Sequence, residues 1–293
     1  MKTNEIQMRD PYICLDGGVY YLIGTTDKSC WTGPFVGFDA YTGSDLENWE
    51  GPFPAFRPSQ DFFADKNFWA PEIHKFGGEF YLFASFKSDS IRRGTAILKS
   101  KNGSPAGPYT LHSHGNITPP EWECLDGTLY VDSNDKPWMV FCHEWVQEGG
   151  GSICAMPLSA DLSTAAGKPQ TLFFASDVKW TVPVNHSSGI SGHVTDGPTM
   201  FKSKNGELWM LWSSMTETGY GIGLSISKSG CVLGPWQHRK QPLFSADGGH
   251  GMVFCDISGN LRLTIHTPNN TPNERPIFLS ISERDDGFEL INV

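Results

Sequence analysis

The sequence predicts an all-β chain folded as a single five-bladed β-propeller over residues 1–293. Two observations point there: a hairpin pattern that recurs at a blade-sized period, and a composition that favours short strands and tight turns. "RDPYICLDGGVYYLIGTT" near the start is matched by "APEIHKFGGEFYLFASF", "LDGTLYVDSNDKPWMVFCHEW", "DGPTMFKSKNGELWMLWSSM" and "GHGMVFCDISGNLRLTIHTP". Each stretch has a polar head, a short apolar run, a turn and a second apolar run. The turns carry Asp16-Gly-Gly18, Gly77-Gly78, Asn134-Asp135-Lys136, Asn205-Gly206 and Ser258-Gly259, which are hairpin signals between alternating apolar residues.

A further strand-like piece follows each hairpin, often closing on a Gly-Pro-aromatic or Trp corner, clearest in "DLENWEGPF", "AGPYTLHS" and "LGPWQHRKQPLF". The unit is therefore three or four antiparallel strands. The hairpin turns recur about every 53 to 70 residues, near the upper end of known propeller periods. Radial repetition leaves only short, protected sheet edges, which lets an all-β chain of this size avoid edge-to-edge association. A two-sheet sandwich is the competing architecture, and it gives no reason for five copies of one pattern.

Composition agrees. Aromatic residues make up 13% of the chain, with 10 Trp, 32 Gly and 20 Pro, so turns and flat apolar surface are plentiful. No apolar stretch approaches the roughly 18 to 20 residues of a membrane span. A formal charge of −10 without a local Lys/Arg cluster disfavours nucleic acid, leaving neutral or sugar-like partners. The 7 Cys show no CxxC spacing, so neither a zinc site nor a disulfide framework is expected, and most should be buried thiols. Residues 1–8 are too short and polar for a secretory signal, which points to the cytoplasm unless a signal was removed.

The innermost strands of a propeller line its central channel, so the residues heading them converge at one end. Here the heads are Asp10, Glu72, Asp126, Asp196 and His250, expected at equivalent positions of the five repeats. Carboxylates gathered around one funnel raise one another's pKa, so that some stay protonated near neutral pH while others stay ionised. Acid/base work at a glycosidic bond requires that division.

With these motifs in order, "RDPYI", "FWAPEI", "LDGTLYVD", "TDGP" and "GHG", the chain resembles the family 43 glycoside hydrolases along nearly its whole length. The resemblance implies a five-bladed propeller that hydrolyses arabinosides, xylosides or galactosides of plant-type polysaccharides with inversion at the anomeric carbon. It matches Asp10 to the general base, Asp126 to the carboxylate that orients and tunes the acid, and Asp196 to the general acid. It matches His250 to a channel histidine that in many relatives helps hold a structural cation, often calcium, through water, while no cofactor is required for the chemistry. One departure stands out: the family usually has Glu before Gly-Pro, whereas Thr195-Asp-Gly-Pro198 is one methylene shorter. That puts catalytic competence in doubt more than fold.

Other residues have two readings each. Trp69 forms either a wall for a sugar ring or packing between blades. Glu72 hydrogen-bonds sugar hydroxyls or serves as a second acid. His143 in "HEW" rims the pocket or only turns the chain. His186 and His193, in a polar loop before the fourth blade, contact substrate more readily than metal, since no third ligand is near in sequence. Arg275 clamps a hydroxyl or carboxylate, or makes a surface ion pair. Arg9 balances the acidic funnel or is a surface charge, the latter slightly favoured.

Two other functions compete. "RDP" and "WEC" also resemble the family 32 fructan and sucrose hydrolases, which would make Glu123 the acid, although the motif order is wrong for that family. A propeller that binds carbohydrate without turnover is the reading from a different class.

Overall fold

Gly17 and Gly18 both take positive φ, 58° and 79°. A two-residue turn of the type I′ kind needs that conformation, and it joins β1 (Arg9–Asp16) to β2 (Val19–Thr25) with matched register. Gly77 and Gly78 repeat the device in the second blade. The computed structural model, which describes residues 1–187 and 189–291, continues the pattern around a ring of five sheets, each four strands deep.

The first blade adds β3 (Phe38–Gly43) and β4 (Glu50–Phe56). The second runs β5 (Lys66–Phe76), β6 (Glu79–Lys87), β7 (Gly94–Ser100) and β8 (Tyr109–Leu111). The third runs β9 (Cys124–Val131), β10 (Pro137–His143), β11 (Ser152–Pro157) and β12 (Gln170–Phe174). A two-residue hairpin of β13 (Val184–Asn185) and β14 (Ser191–Gly192) interrupts the sequence of blades. The fourth is β15 (Asp196–Lys202), β16 (Leu208–Thr216), β17 (Gly219–Ser227) and β18 (Gln237–His238). The fifth is β19 (Gly249–Cys255), β20 (Leu261–Thr267), β21 (Arg275–Arg284) and β22 (Gly287–Ile291).

Each of the five blades consists of four consecutive strands, so among the described residues no strand is exchanged to close the ring. Closure falls to packing, and the core is accordingly divided among the seams between blades. Phe38, Phe56, Phe68 and Phe86 fill the first seam. Tyr81, Phe83, Phe141 and Met156 fill the second, and Val140, Trp180 and Trp212 the third. Trp209, Ile265 and Phe288 follow, and Ile13, Leu22 and Phe254 join the fifth blade back to the first. Each such side chain contributes roughly 1.5 to 3 kcal/mol by leaving water.

The innermost strands share one irregularity. In β1 the pairing steps from Arg9↔Thr25 to Tyr12↔Ile23, so two residues, Asp10 and Pro11, stand opposite one. The same one-residue bulge holds Ala70-Pro71 in β5, Asp126-Gly127 in β9, Gly197-Pro198 in β15 and His250-Gly251 in β19. All five leading bulge residues have positive φ, between 46° and 56°. Bulges of this kind re-aim a side chain and leave a backbone group out of the ladder. The register therefore corrects the expected equivalence of the strand heads: Asp10, Asp126 and His250 are equivalent, Asp196 lies one residue before its bulge, and Glu72 directly after its own.

The freed N–H groups are passed from blade to blade. Ala70 N–H donates to Thr25 Oγ1 of the first blade (2.8 Å), and Asp126 N–H to Ser85 Oγ of the second (2.9 Å). His250 N–H donates to Ser213 Oγ of the fourth (2.8 Å), and Asp10 N–H to His266 Nδ1 of the fifth (3.1 Å). In the third blade Cys142 occupies the acceptor position, and Gly197 N–H goes instead to Asp126 Oδ2 (3.0 Å).

Ser213→Ala removes the acceptor of the buried His250 N–H, which costs about 1 to 3 kcal/mol where no water replaces it. Urea unfolding is expected to show that loss with the m-value unchanged; a change under half a kcal/mol would show that the ring of N–H contacts carries no stability.

Candidate active site

The bulges bring Asp10, Asp126, Asp196 and His250 to one cavity of about 700 Å³. Asp10 Oδ2 accepts a hydrogen bond from Thr25 Oγ1 (2.6 Å), and its Oδ1 lies 3.2 Å from His250 Nδ1. Burial pushes the Asp10 pKa up, but the charges of His250 and Arg9, with the Thr25 hydroxyl, more than offset it and hold the carboxyl below its ordinary range. Asp10 is the ionised member of the group.

Asp126 has the opposite balance. Burial, and then the nearby charges of Asp196 and Asp10, push it up to about 8 despite His250 and the Gly197 N–H. Asp196 is raised too, chiefly by burial, with Asp10 and Glu144 adding like charge. Tyr220 OH donates to Asp196 Oδ2 (2.9 Å), and Gly197 N–H ties the Asp126 carboxyl to the residue next to Asp196. Two carboxyls so placed hold a shared proton near neutral pH. Gly197 is required here: its φ is +50°, and an added Cβ would meet His250 Cδ2 at 2.5 Å.

His250 faces Asp10 at 3.2 Å and Asp126 Oδ2 at 3.7 Å. Burial lowers its pKa, but Asp10, Asp126 and Asp196 outweigh burial and raise it. His266 differs, since burial drives it down to about 3; it is neutral, accepting from Asp10 N–H at Nδ1 and facing Asn269 Oδ1 at 3.3 Å with Nε2.

These surroundings offer no direct ligand set for the cation expected at His250. An imidazole facing the Asp10 carboxylate and the Asp126 carboxyl favours its protonated form, which has no lone pair to offer a metal. Among the described residues no group of three His, Cys, Asp or Glu side chains could hold an ion.

Trp69 lines the cavity as expected, but its ring lies under the Arg93 guanidinium (4.4 Å) and against Trp31 (5.2 Å), and its Nε1 donates to Cys30 O (2.7 Å). Trp31, 58% exposed, is the open aromatic surface beside it. Four other expected contacts lie elsewhere. Glu72, beyond its bulge, turns away from the cavity and pairs with His74 Nε2 (2.9 Å). His143 stacks on Trp122 (4.2 Å) and meets Gln147 Oε1 (2.9 Å). His193 is held by Thr181 Oγ1 (2.8 Å), and Arg275 binds the carbonyls of Asn4, Pro272 and Glu274. His186 of the same loop does line the cavity.

Glu123 also lines it, but as a salt-bridged anion. Burial raises its pKa, yet Lys87 Nζ at 3.0 Å from both oxygens and the Arg93 N–H (3.0 Å) bring it below its ordinary value. A group held ionised is unsuited to protonating a leaving group, so the family 32-like assignment does not fit. Arg9 is no surface charge: its side chain is 13% exposed and it lines the cavity.

Sequence reasoning missed Thr25, Tyr220 and His266. Thr25 and His266 carried a signal, for each ends the second apolar run of its repeat, as Ser85 and Ser213 do. Tyr220 is brought in only by β17 and had none.

Known proteins resemble this chain in sequence and in fold. The family model described as glycosyl hydrolases family 43 matches residues 4–288. An extracellular exo-α-(1→5)-L-arabinofuranosidase of Cellvibrio japonicus is 25% identical, with 89% of this chain and 74% of that protein covered. An extracellular endo-α-(1→5)-L-arabinanase of Bacillus subtilis is 22% identical over 49% of this chain, which spans only 45% of that relative's length. A solved structure of an endo-arabinase from Bacteroides thetaiotaomicron superposes with a TM-score of 0.90 at 38% identity, covering 97% of this chain and 98% of that one.

Because Asp126 has a folded-state pKa above its unfolded value, its ionisation opposes folding increasingly as pH rises from about 4 towards 8. Asp126→Asn should therefore become more stable relative to the parent over that interval. Melting curves at several pH values that ran parallel would contradict the burial argument.

Proposed function

The chain belongs to the family 43 glycosyl hydrolases, and on that basis we propose that it cleaves α-L-arabinofuranosidic bonds in arabinan-type oligosaccharides by inverting acid/base hydrolysis. The observation that carries the proposal is the division of charge in one cavity, with Asp10 held ionised and the Asp126–Asp196 pair held partly protonated. The choice of sugar rests on the arabinan-directed relatives and on the 38% identical endo-arabinase, which spans nearly the whole chain.

In this mechanism Asp10 takes a proton from the water that attacks the anomeric carbon, while Asp196 gives a proton to the departing oxygen. Thr25 and His250 fix the two oxygens of Asp10, so the base is preset rather than selected from rotamers. Asp126 stands behind the acid and shares a proton with it. Asp196 is a methylene shorter than the usual glutamate, and the Tyr220 hydroxyl anchors its carboxyl.

All seven cysteines are free thiols, which suits a reducing compartment and short oligosaccharides rather than polymer. Two of the arabinan-directed relatives are named extracellular, so fractionation of the native host decides between the two locations.

Aryl α-L-arabinofuranoside and α-1,5-linked arabino-oligosaccharides should be hydrolysed, with the anomeric configuration inverted by proton NMR. Asp10→Asn and Asp196→Asn are each expected to lower kcat by about a thousandfold, while Glu123→Gln keeps most of it. Binding of the oligosaccharide without turnover would replace the enzyme reading with a binding propeller, and loss confined to Glu123→Gln would reassign the acid. The pH profile should also respond to Asp126→Asn: without the second carboxyl, no neighbouring negative charge opposes loss of the pair's last proton, so the basic limb moves to lower pH. A basic limb that stays in place would remove Asp126 from this role.

A further inference from the structure

Arg9 and Glu274 form an ion pair in an unusual position. Arg9 Nη1 donates to Glu274 Oε1 (2.9 Å), and Glu274 is fully buried. The same oxygen accepts from Thr271 Oγ1, while Oε2 has no hydrogen-bond partner among the described residues. The guanidinium lies over the Trp31 ring at 5.3 Å, and Arg9 lines the cavity one residue before Asp10. A buried ion pair with an unsatisfied oxygen is poor value as a fastener, since apolar residues of similar volume commonly hold a seam as well or better. The seam between the first and fifth blades already has its apolar filling from Ile13, Leu22 and Phe254.

We propose that the Arg9–Glu274 pair regulates the charge felt by the base: Arg9 keeps Asp10 ionised, and Glu274 sets how much of the Arg9 charge Asp10 experiences. This rests on the reading of Asp10 as the base. The groups around Asp10 leave that task to Arg9 and His250. Thr25 on β2 supplies a neutral hydroxyl, and His266 on β20 is neutral. Asp126 on β9 and Asp196 on β15 carry the wrong sign. Tyr220 on β17 and Cys30 in the loop before β3 are both neutral, the thiol pushed up to about 11 by burial. His250 divides its charge between Asp10 and Asp126. Arg9 is the cation whose charge no pH in the working range can remove.

The two halves of the pair then have opposite effects on Asp10, which no fastening role predicts. Arg9→Met should raise the Asp10 midpoint by about one pH unit, and Glu274→Gln should lower it. The double variant, which leaves no buried charge unpaired, should raise it as Arg9→Met does. The midpoint is read from the acid limb of kcat/KM. It is read again, without turnover, from the pH at which each protein loses its stability advantage over its own Asp10→Asn counterpart. A depressed carboxyl stabilises the fold above its unfolded pKa and loses that contribution as pH falls through the folded one. Opposite displacements support the regulator. Lower melting temperatures with an unmoved midpoint, or displacement of both single variants in one direction, would make the pair a structural staple and overturn the proposal. If the stability midpoints move as expected while the parent shows no turnover, the catalytic reading of Asp10 fails and the electrostatic inference stands.

Discussion

Everything in the molecule depends on five backbone N–H groups that the innermost strands leave unpaired. A bulge at the head of each strand turns one residue into a positive-φ conformation and points its N–H at the neighbouring blade. An unsatisfied N–H buried on the propeller axis would be costly, so each blade must present an acceptor to the next. Thr25, Ser85, Ser213 and His266 do so with side chains. The ring closes without an exchanged strand because this polar chain and the five aromatic-rich seams together fasten each blade to two others.

The same device builds the site. Where the bulge residue is Asp or His its side chain is aimed into the cavity, and where it is Ala70 the space is left open. In the third blade Cys142 offers no hydroxyl, and the Gly197 N–H turns to the Asp126 carboxylate instead. One exception to the ring thus joins two acidic residues in one electrostatic unit. Structure and chemistry compete for Asp126 and Asp10 alike: Thr25 serves both as acceptor for the second blade and as donor to the Asp10 carboxylate. The stability lost by burying carboxyls on the axis is returned by the apolar seams that surround them.

Period and turn chemistry made the five blades legible, because Gly-Gly and Asn-Gly between alternating apolar runs admit little else than hairpins. Asp10, Asp126 and Asp196 were legible as cavity residues because acidic strand heads in successive repeats must converge on the axis. The bulge was not legible, since an extra residue leaves no mark in apolar alternation when the strand is buried on both faces. That single omission misplaced Glu72, which sits directly past the bulge and faces His74, and it hid the matching positions of Thr25 and His266. His143, His193 and Arg275 were left between two readings for another reason: loop polarity says that a side chain will find partners, and each found them within the loops and termini. Arg9 was undervalued because its partner Glu274 is 265 residues away in sequence.

The account stands on a division of protons among three carboxyls of one cavity, and a carboxyl ¹³C NMR titration of Asp10, Asp126 and Asp196, assigned with the single Asn variants, measures that division directly. It should show Asp10 titrating below the ordinary aspartate value, while the Asp126–Asp196 pair retains one proton close to neutral pH. Three carboxyls that all lose their protons below about pH 4, where unperturbed aspartates titrate, would contradict it.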